Sequence, residues 1–189
     1  MLFFLPMQIQ ASPWRIGTKA RIGGRYDNIR MCVATDPGVN GGPAMDISIY
    51  AGKELSSKTV LEFDLPAMRP ILFGAAFKML QFEPSVTLKI SVLSTNNLKL
   101  QAGPMAGISM HYGPDVDSDS SGTNRTRSFF AMGPILGGYG GITILRPHGK
   151  FDIQVGITVY TIPLWSINDP ENHNGFVLGG SLDIAMLWK

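Results

Sequence analysis

The chain has 189 residues, of which 16% are charged, and a formal net charge of +2. The length fits a single domain, and the small, scattered positive charge excludes the basic surface by which proteins hold nucleic acid. A single cysteine, Cys32, excludes an intramolecular disulfide framework and a cysteine-based metal site.

Apolar residues make up 44% of the chain, yet no run approaches the roughly 18 residues that a membrane-spanning helix needs. The apolar side chains must therefore lie in a soluble core or face lipid one strand at a time. The 22 Gly and 13 Pro residues favour strands and turns over a helical bundle, because both residue types are poor helix formers.

The first eleven residues combine an apolar run with a small residue, Ala11, before Ser12. This arrangement is typical of the end of a secretory signal, although no basic stretch precedes the apolar run. We expect residues 1–11 to be a signal-peptide remnant and residues 12–189 to form one domain. The alternative is an apolar arm that stays on the mature protein.

The clearest strand pattern spans residues 14–26. Every second side chain, from Trp14 to Tyr26, is apolar or small, and the side chains between them include four cations. Because successive side chains of a strand point to opposite faces, this segment predicts a strand with one apolar and one basic face. A helix would mix the two sets. The cations are Arg15, Lys19, Arg21 and Arg25.

Six later segments show the same alternation. They span residues 45–51, 61–65, 85–92, 98–111, 151–160 and 176–188. An eighth strand is predicted within residues 126–146, where the glycine-rich stretch 137–141 leaves the phase open and allows a bulge or bend.

Residues 70–82 fit two structures equally well, a short helix that begins at Pro70 or a strand. We expect them to extend the strand that contains Val86, through a bulge near Glu83 and Pro84, with residues 66–70 as the outer turn. A helical outer loop is the alternative, and a separate ninth strand would break the even strand count.

The connections between the predicted strands alternate in length. Short ones lie near residues 54–57, 94–97 and 147–149, and long ones near residues 27–43, 66–83, 113–125 and 167–174. Bacterial outer-membrane barrels have an even strand count, short periplasmic turns and longer outer loops. The sequence therefore predicts an all-β, eight-stranded antiparallel up-and-down transmembrane β-barrel with both termini in the periplasm.

A soluble lipocalin-like ligand-binding barrel would show the same alternation with its faces reversed. Two features favour lipid on the apolar face. Glycine is frequent on the polar face, where small residues beside Arg and Tyr help to fill a narrow interior, and aromatic residues gather near strand ends as an interfacial girdle requires. The predicted girdle is Trp14, Tyr26, Phe151, Trp165, Phe176 and Trp188.

The last strand places Ile184, Met186 and Trp188 on one face, so its apolar stripe ends in an aromatic residue. In this respect the chain resembles the small outer-membrane barrels of the OmpA, OmpX and OmpW type. The resemblance covers the architecture of nearly the whole chain and implies that the barrel-assembly machinery reads the closing aromatic residue. The chain departs from that pattern in having Lys189 after Trp188.

The polar face of this barrel would bring acids to both sides of the basic first strand. Buried charges must be paired, and the interior of eight strands is just wide enough for side chains to fill. We expect an interior plugged by ion pairs, with no open pore. The predicted network is Arg15, Lys19, Arg21, Arg25, Asp46, Glu62, Asp64, Lys89, Asp152 and Asp183.

Ser109 and His111 share the inner face of the fifth strand, and Asp115 follows in the next loop. Because some small outer-membrane barrels are lipid A acylases or deacylases, these three residues are weak candidates for a Ser–His–acid site. Their order departs from the His-x-Ser order associated with the deacylases. Three acids between residues 113 and 122 are interpreted as a solvated outer loop in preference to a Ca²⁺ site.

We therefore expect a barrel with a structural or interaction role, without a metal or cofactor. The expected partners are outer-membrane lipid and lipopolysaccharide, the barrel-assembly machinery and a larger envelope complex, but no nucleic acid. A narrow conduit for small or apolar solutes, including one with an interior gap lined by Met105, is the first alternative, and a lipid A-modifying enzyme is the second.

Overall fold

The computed structural model describes residues 14–27, 41–66, 69–73, 76–118, 124–167 and 174–188. These residues form ten β-strands in one antiparallel sheet. The strands are β1 (Arg15–Asp27), β2 (Gly41–Ser56), β3 (Thr59–Pro66), β4 (Arg69–Phe73), β5 (Ala76–Phe82), β6 (Ser85–Ser94), β7 (Leu98–Ser118), β8 (Asn124–Ile144), β9 (Phe151–Ser166) and β10 (Asn174–Trp188).

The sheet closes on itself. Strand β1 pairs with β2 on one side and with β10 on the other, and the pairing of β7 with β8 completes the ring. Strands β3 and β4 occupy one position in the wall, and β5 and β6 occupy the next, so the ten segments make eight barrel strands. The predicted eight-stranded antiparallel up-and-down barrel is confirmed.

The segment 69–82 is extended, as the first of the two alternatives predicted. Phe82 lies opposite Met110 and Ser85 opposite Gly107, so β5 and β6 pair with β7 in one register. The predicted bulge at Glu83 and Pro84 is therefore wrong, because a bulge would add one residue to this strand relative to β7. Pro84 lacks an N–H group, but it does not change the register. Its carbonyl still accepts a hydrogen bond from the Ile108 N–H, at 3.1 Å.

The outer turn that was predicted at residues 66–70 is also wrong. Pro70 lies in β4 opposite Leu80, and the antiparallel pairing of β4 with β5 extends to Phe73 and Ala76. Similarly, β7 and β8 stay paired as far as Ser118 and Asn124, so the predicted long connection at 113–125 shrinks to residues 119–123. Pro70 in β4 and Pro114 in β7 are tolerated because these extended ends of the strands are edges of the sheet.

The short connections all lie at the end of the barrel where β1 begins and β10 ends, called here the terminal end. They span residues 57–58, 95–97 and 145–150. The first was predicted at residues 54–57, but Glu54 belongs to β2, whose register shifts there. The opposite end, the loop end, carries the other connections. Residues 1–13, with the expected signal remnant, and the positions of Cys32 and Lys189 lie outside the described residues.

Side chains alternate across the wall as predicted, with polar groups inside and apolar groups outside. Lys89 in the interior is 1% exposed, whereas Met45 on the outer wall is 62% exposed. The soluble barrel, which needs the reverse, is contradicted. Strand β8 has an unbroken register through its glycines, so the bulge allowed there is absent, and Ile135, Tyr139 and Thr143 point inward.

Candidate functional site

Four buried charges meet near the middle of the barrel interior. The Lys19 Nζ atom donates to Glu62 Oε1 at 2.5 Å and to Asp64 Oδ2 at 2.7 Å. The Lys89 Nζ atom donates to the other Glu62 oxygen at 2.7 Å. Strands β1, β3 and β6 supply these groups, so Glu62 joins two cations that lie on different strands of the wall.

The same network continues along β1 toward both ends of the barrel. Arg21 Nη2 donates to Asp64 Oδ2 at 2.8 Å, and its Nε atom lies 3.6 Å from Asp183 Oδ2. Toward the terminal end, Arg15 Nη2 donates to Asp152 Oδ2 at 2.6 Å. Charged groups from strands up to two positions apart in the wall are thus bonded inside the barrel.

Two tyrosine rings pack against the ammonium groups of the network. The Lys19 Nζ atom lies 4.8 Å from the centre of the Tyr50 ring, and the Lys89 Nζ atom lies 4.2 Å from the centre of the Tyr139 ring. Such contacts stabilise a desolvated cation. Gly156 makes room for the Tyr139 ring, since a Cβ atom there would lie 2.6 Å from the ring's Cζ atom.

All ten predicted interior charges lie on the inner face. Nine of them form ion pairs with one another or with Glu83. The tenth, Asp46, is buried opposite Arg21 in the register. Sequence reasoning missed Tyr139, because the phase of β8 was open, and it missed Glu83, which was assigned to a connection. Tyr50 was visible as a member of the polar set on β2.

A second buried cluster lies closer to the loop end. Arg25 Nη1 donates to Gln81 Oε1 and Glu83 Oε1, at 3.0 Å each, and Ser109 Oγ donates to Glu83 Oε1 at 3.0 Å. His111 Nε2 lies 3.5 Å from the same Glu83 oxygen. The carboxylate of Glu83 therefore organises the cluster.

Two of the three weak candidates for a catalytic site, Ser109 and His111, both lie beside the Glu83 carboxylate. Ser109 donates its hydrogen bond to the carboxylate, and both side chains are fully buried. In a Ser–His–acid site the serine would donate to the histidine. The backbone of Asp115 pairs with Arg127 in the β7–β8 hairpin, and its side chain lies outside the described residues.

Apolar side chains from β7 to β10 fill the other side of the interior at this level. They form one packed cluster with Tyr160 against it: Met105, Ala131, Ile135, Ile162, Leu164 and Val177. The inner face of β9 thus changes from polar at Asp152 to apolar at Ile162. This change lies beyond residue 160, where the alternation predicted from the sequence stopped.

Two small cavities lie on either side of the Lys19–Asp64 pair. The cavity toward the loop end has a volume of about 30 Å³ and is lined by Arg21, Asp46, Met105 and Ile135, among others. The one toward the terminal end has about 20 Å³ and is lined by Arg15 and Glu62, among others. Each has room for about one or two waters, and the Lys19–Asp64 pair lies between them.

The six aromatic residues of the predicted girdle lie on the outer wall in two groups. Trp14, Phe151 and Trp188 are near the terminal end, and Tyr26, Trp165 and Phe176 are near the loop end. Two cations accompany the first group: Lys53 Nζ lies 5.5 Å from the Trp14 ring centre, and Arg146 Cζ lies 4.9 Å from the Phe151 ring centre.

Among the described residues, no group of three or more His, Cys, Asp or Glu side chains is arranged to hold a metal ion. No helix within the same ranges is long and apolar enough to cross a membrane.

Comparison with known proteins gives structural likeness alone, because no family model and no curated protein matches the sequence. The chain is similar to the crystal structure of Neisserial surface protein A (NspA). The TM-score is 0.55 and the identity 11%, over 92% of this chain and 96% of that chain. This likeness shows the fold: the chain has the architecture of the small eight-stranded outer-membrane β-barrels.

Two further solved structures are less similar. The N-terminal β-barrel domain of Pseudomonas aeruginosa OprF has a TM-score of 0.45 at 12% identity, over 95% of this chain and all of that chain. The attachment invasion locus protein Ail of Yersinia pestis has a TM-score of 0.44 at 12% identity, over 93% of this chain and 98% of that chain.

Proposed function

We propose that the chain is an outer-membrane β-barrel with a structural or interaction role, whose interior is plugged by ion pairs. Its outer loops or its wall contact surface ligands or envelope partners. One observation carries the proposal: the charged side chains fill the interior while a wall of apolar side chains, framed by aromatic residues, faces outward.

The height of that apolar wall supports membrane placement. Trp14 and Tyr26 flank the apolar face of β1, and Phe176 and Trp188 flank that of β10, with a separation of 12 residues in each case. At about 3.3 Å per residue and a tilt of about 40°, 12 residues rise roughly 30 Å. The hydrocarbon layer of a bilayer has a similar thickness.

The aromatic groups and the connections support an orientation. Cations beside Trp14 and Phe151 are suited to the headgroup level, where aromatic and basic side chains gather. Short turns at the terminal end are typical of the periplasmic side of such barrels. We therefore place both termini in the periplasm, with lipopolysaccharide and envelope partners at the loop end and the barrel-assembly machinery acting during biogenesis.

The buried clusters support a role other than catalysis. Glu83 accepts hydrogen bonds from Ser109 and Arg25, which is the arrangement of a structural ion pair. Groups that are bonded in this way rigidify the interior and leave the loops and the wall as the surfaces for recognition.

The plugged interior predicts that the protein conducts no large, steady current. In planar bilayers, the folded protein should give a baseline indistinguishable from that of the bilayer alone, because ions would have to cross the Lys19–Glu62–Lys89 contacts. Insertion is verified independently by protection of the barrel from added protease. A steady single-channel conductance from inserted protein would contradict the plugged interior.

A narrow conduit for small apolar solutes is the second candidate function. The observation that favours it is the cavity toward the loop end, which is partly lined by Met105 and Ile135. With a volume of about 30 Å³, this cavity has room for one or two waters. Transport along the barrel axis would therefore require the ion-pair network to rearrange.

A further inference from the structure

Two prolines face each other in the wall between β8 and β9. Met132 pairs with Trp165 and Leu136 pairs with Thr161, but the ladder between these pairs is interrupted. The register is the same on both sides of the interruption, so Pro134 lies directly opposite Pro163. No residue is added or removed, and the interruption has a chemical cause.

The interrupted stretch between the pairs Met132–Trp165 and Leu136–Thr161 is called here the β8–β9 seam. At both proline positions, the N–H group of another residue would point into this seam. The Ile167 N–H donates to the Phe130 carbonyl at 2.8 Å across the same two strands. Because hydrogen-bonded pairs recur at every second residue of an antiparallel ladder, Pro134 and Pro163 form such a pair. Neither has an N–H group, so both hydrogen bonds of the pair are missing. About 13 Å of each strand, four residues at about 3.3 Å, is left without bonds to the other.

The seam is mainly apolar on both faces, and the buried Thr161 hydroxyl at its edge is the polar exception. Inside the barrel it is backed by Ile135, Ile162 and Leu164 of the apolar cluster. Outside it is bordered by the exposed side chains of Leu136 and Trp165. Apolar surface is therefore continuous from the outer wall to the interior across the one stretch of the β8–β9 ladder that no hydrogen bonds close.

Pro104 of β7 provides an internal comparison. It interrupts the β6–β7 ladder, in which Thr87 pairs with Met105 and the next pair is Ile90 with Ala102. The partner at this interruption, Leu88, keeps its own N–H group, so one hydrogen bond is lost and not two. Behind this seam lie the polar side chains of Thr87 and Lys89.

We propose that the β8–β9 seam is a lateral opening, through which an acyl chain of the surrounding lipid enters the apolar part of the interior. The inference rests on the proposed membrane placement. The occupant follows from the route, because an apolar molecule that came from the terminal end would have to cross the Lys19–Glu62 network, whereas lipid chains already contact the outer face of the seam.

The seam is shut in this structure. Gly133 lies so close to β9 that a Cβ atom there would overlap the Pro163 carbonyl oxygen. Opening therefore requires the two strands to separate between Met132 and Leu136. Side-chain packing opposes this separation, and no β8–β9 hydrogen bonds do. An acyl chain that enters would displace Ile135 and Ile162 from the contact they make with Met105.

The test uses the whole chain folded into phosphatidylcholine vesicles, in which a small fraction of the lipid carries a diazirine group on one acyl chain. Illumination attaches the lipid to neighbouring side chains, and mass spectrometry locates the attachment. We expect label on the exterior residues Met132 and Leu136, and also on the interior residues Ile135 and Ile162.

The decisive variant carries Pro134→Val and Pro163→Val, which restores both hydrogen bonds with residues suited to a strand. Interior label should fall at least tenfold while exterior label stays unchanged. The matched control, Pro104→Val, restores the bond of the polar-backed seam and should leave interior label unchanged. A free fatty acid that carries the same diazirine, added from the aqueous phase in place of the labelled lipid, should not label the interior before it has partitioned into the bilayer.

Exterior label without interior label would overturn the lateral opening and leave the membrane placement intact. Interior label that persists in the Pro134→Val and Pro163→Val variant would overturn it as well, since the chain would be entering elsewhere. If neither the exterior nor the interior is labelled, the wall does not contact lipid, and the proposed function fails together with this inference.

Discussion

Replacing Glu62 with alanine should lower the free energy of unfolding by about 3–5 kcal/mol, the cost of leaving buried charges without their partner. Glu62 is 1% exposed and accepts hydrogen bonds from both Lys19 and Lys89, so its loss leaves one ammonium group with a single carboxylate and the other with Gln154. Reversible unfolding in urea, in lipid vesicles, measures the change.

Glu54 provides the matched control for this prediction. It lies at the mouth of the same interior, with side-chain distances of 3.8 Å to Arg15 and 3.9 Å to Lys99, and more than a third of its side chain is exposed. Glu54→Ala should cost less than about 1 kcal/mol, as for surface ion pairs. Equal losses from Glu62→Ala and Glu54→Ala would contradict the buried network.

A second test removes Glu62 together with its two lysines and leaves Asp64 paired with Arg21. The variant Lys19→Met, Glu62→Leu, Lys89→Met has no unpaired buried cation, and it should recover most of the stability that Glu62→Ala loses. If it is as unstable as Glu62→Ala, the loss comes from packing at Glu62 and not from uncompensated charge.

The second large effect is expected on the outer wall. Ile157 lies in the middle of β9, opposite Leu182 of β10, and is 60% exposed. Ile157→Arg should destabilise the protein by about 2–4 kcal/mol in vesicles, the cost of an arginine at the midplane of a bilayer. On a wall that faces water, an exposed substitution of this kind usually changes stability by no more than about 0.5 kcal/mol.

Leu55 is the control for depth. It is similarly exposed but lies at the end of β2 beside the turn at residues 57–58. Leu55→Arg should cost about 0–1 kcal/mol, because the penalty falls toward the interface. Urea unfolding of both variants in the same vesicles gives the comparison, and a cost at Leu55 that equals the cost at Ile157 would contradict the membrane depth assigned to the wall.

Strand identity and the direction of most side chains could be predicted from the sequence, because a period of two is a local property. The alternation of Lys19 with Thr18 and Ala20 is enough to place the cation on the polar face. The interior pairing of Lys19 with Glu62 follows only when neighbouring strands are known, and an up-and-down order supplies those neighbours.

Other features could not be predicted because the local pattern is silent or misleading there. Glycine has no side chain whose polarity could mark a face, so the glycine-rich stretch 137–141 did not reveal the inward position of Tyr139 on β8. Pro66 and Pro70 suggested an outer turn and Pro84 a bulge. Pro70 nevertheless pairs with Leu80 in β4, and the register of β5 and β6 against β7 is unbroken across Pro84. Glu83 was therefore assigned to a connection, although it is the centre of a buried cluster.

The opposition of Pro134 and Pro163 depends on register between two strands. Each proline alone marks an interrupted ladder, which is common at the edge of a sheet. Only the pairing of Met132 with Trp165 shows that the two interruptions coincide. Apolar residues behind the seam were equally hidden, because the inner face of β9 changes character at Ile162.

The most direct test of the central claim, a closed barrel in the outer membrane, is cell fractionation followed by gel electrophoresis with and without heating. The chain should sediment with outer membranes, and the unheated protein should migrate differently from the heated protein because the closed sheet resists the detergent. A chain found in the soluble fraction, with the same mobility before and after heating, would contradict the claim.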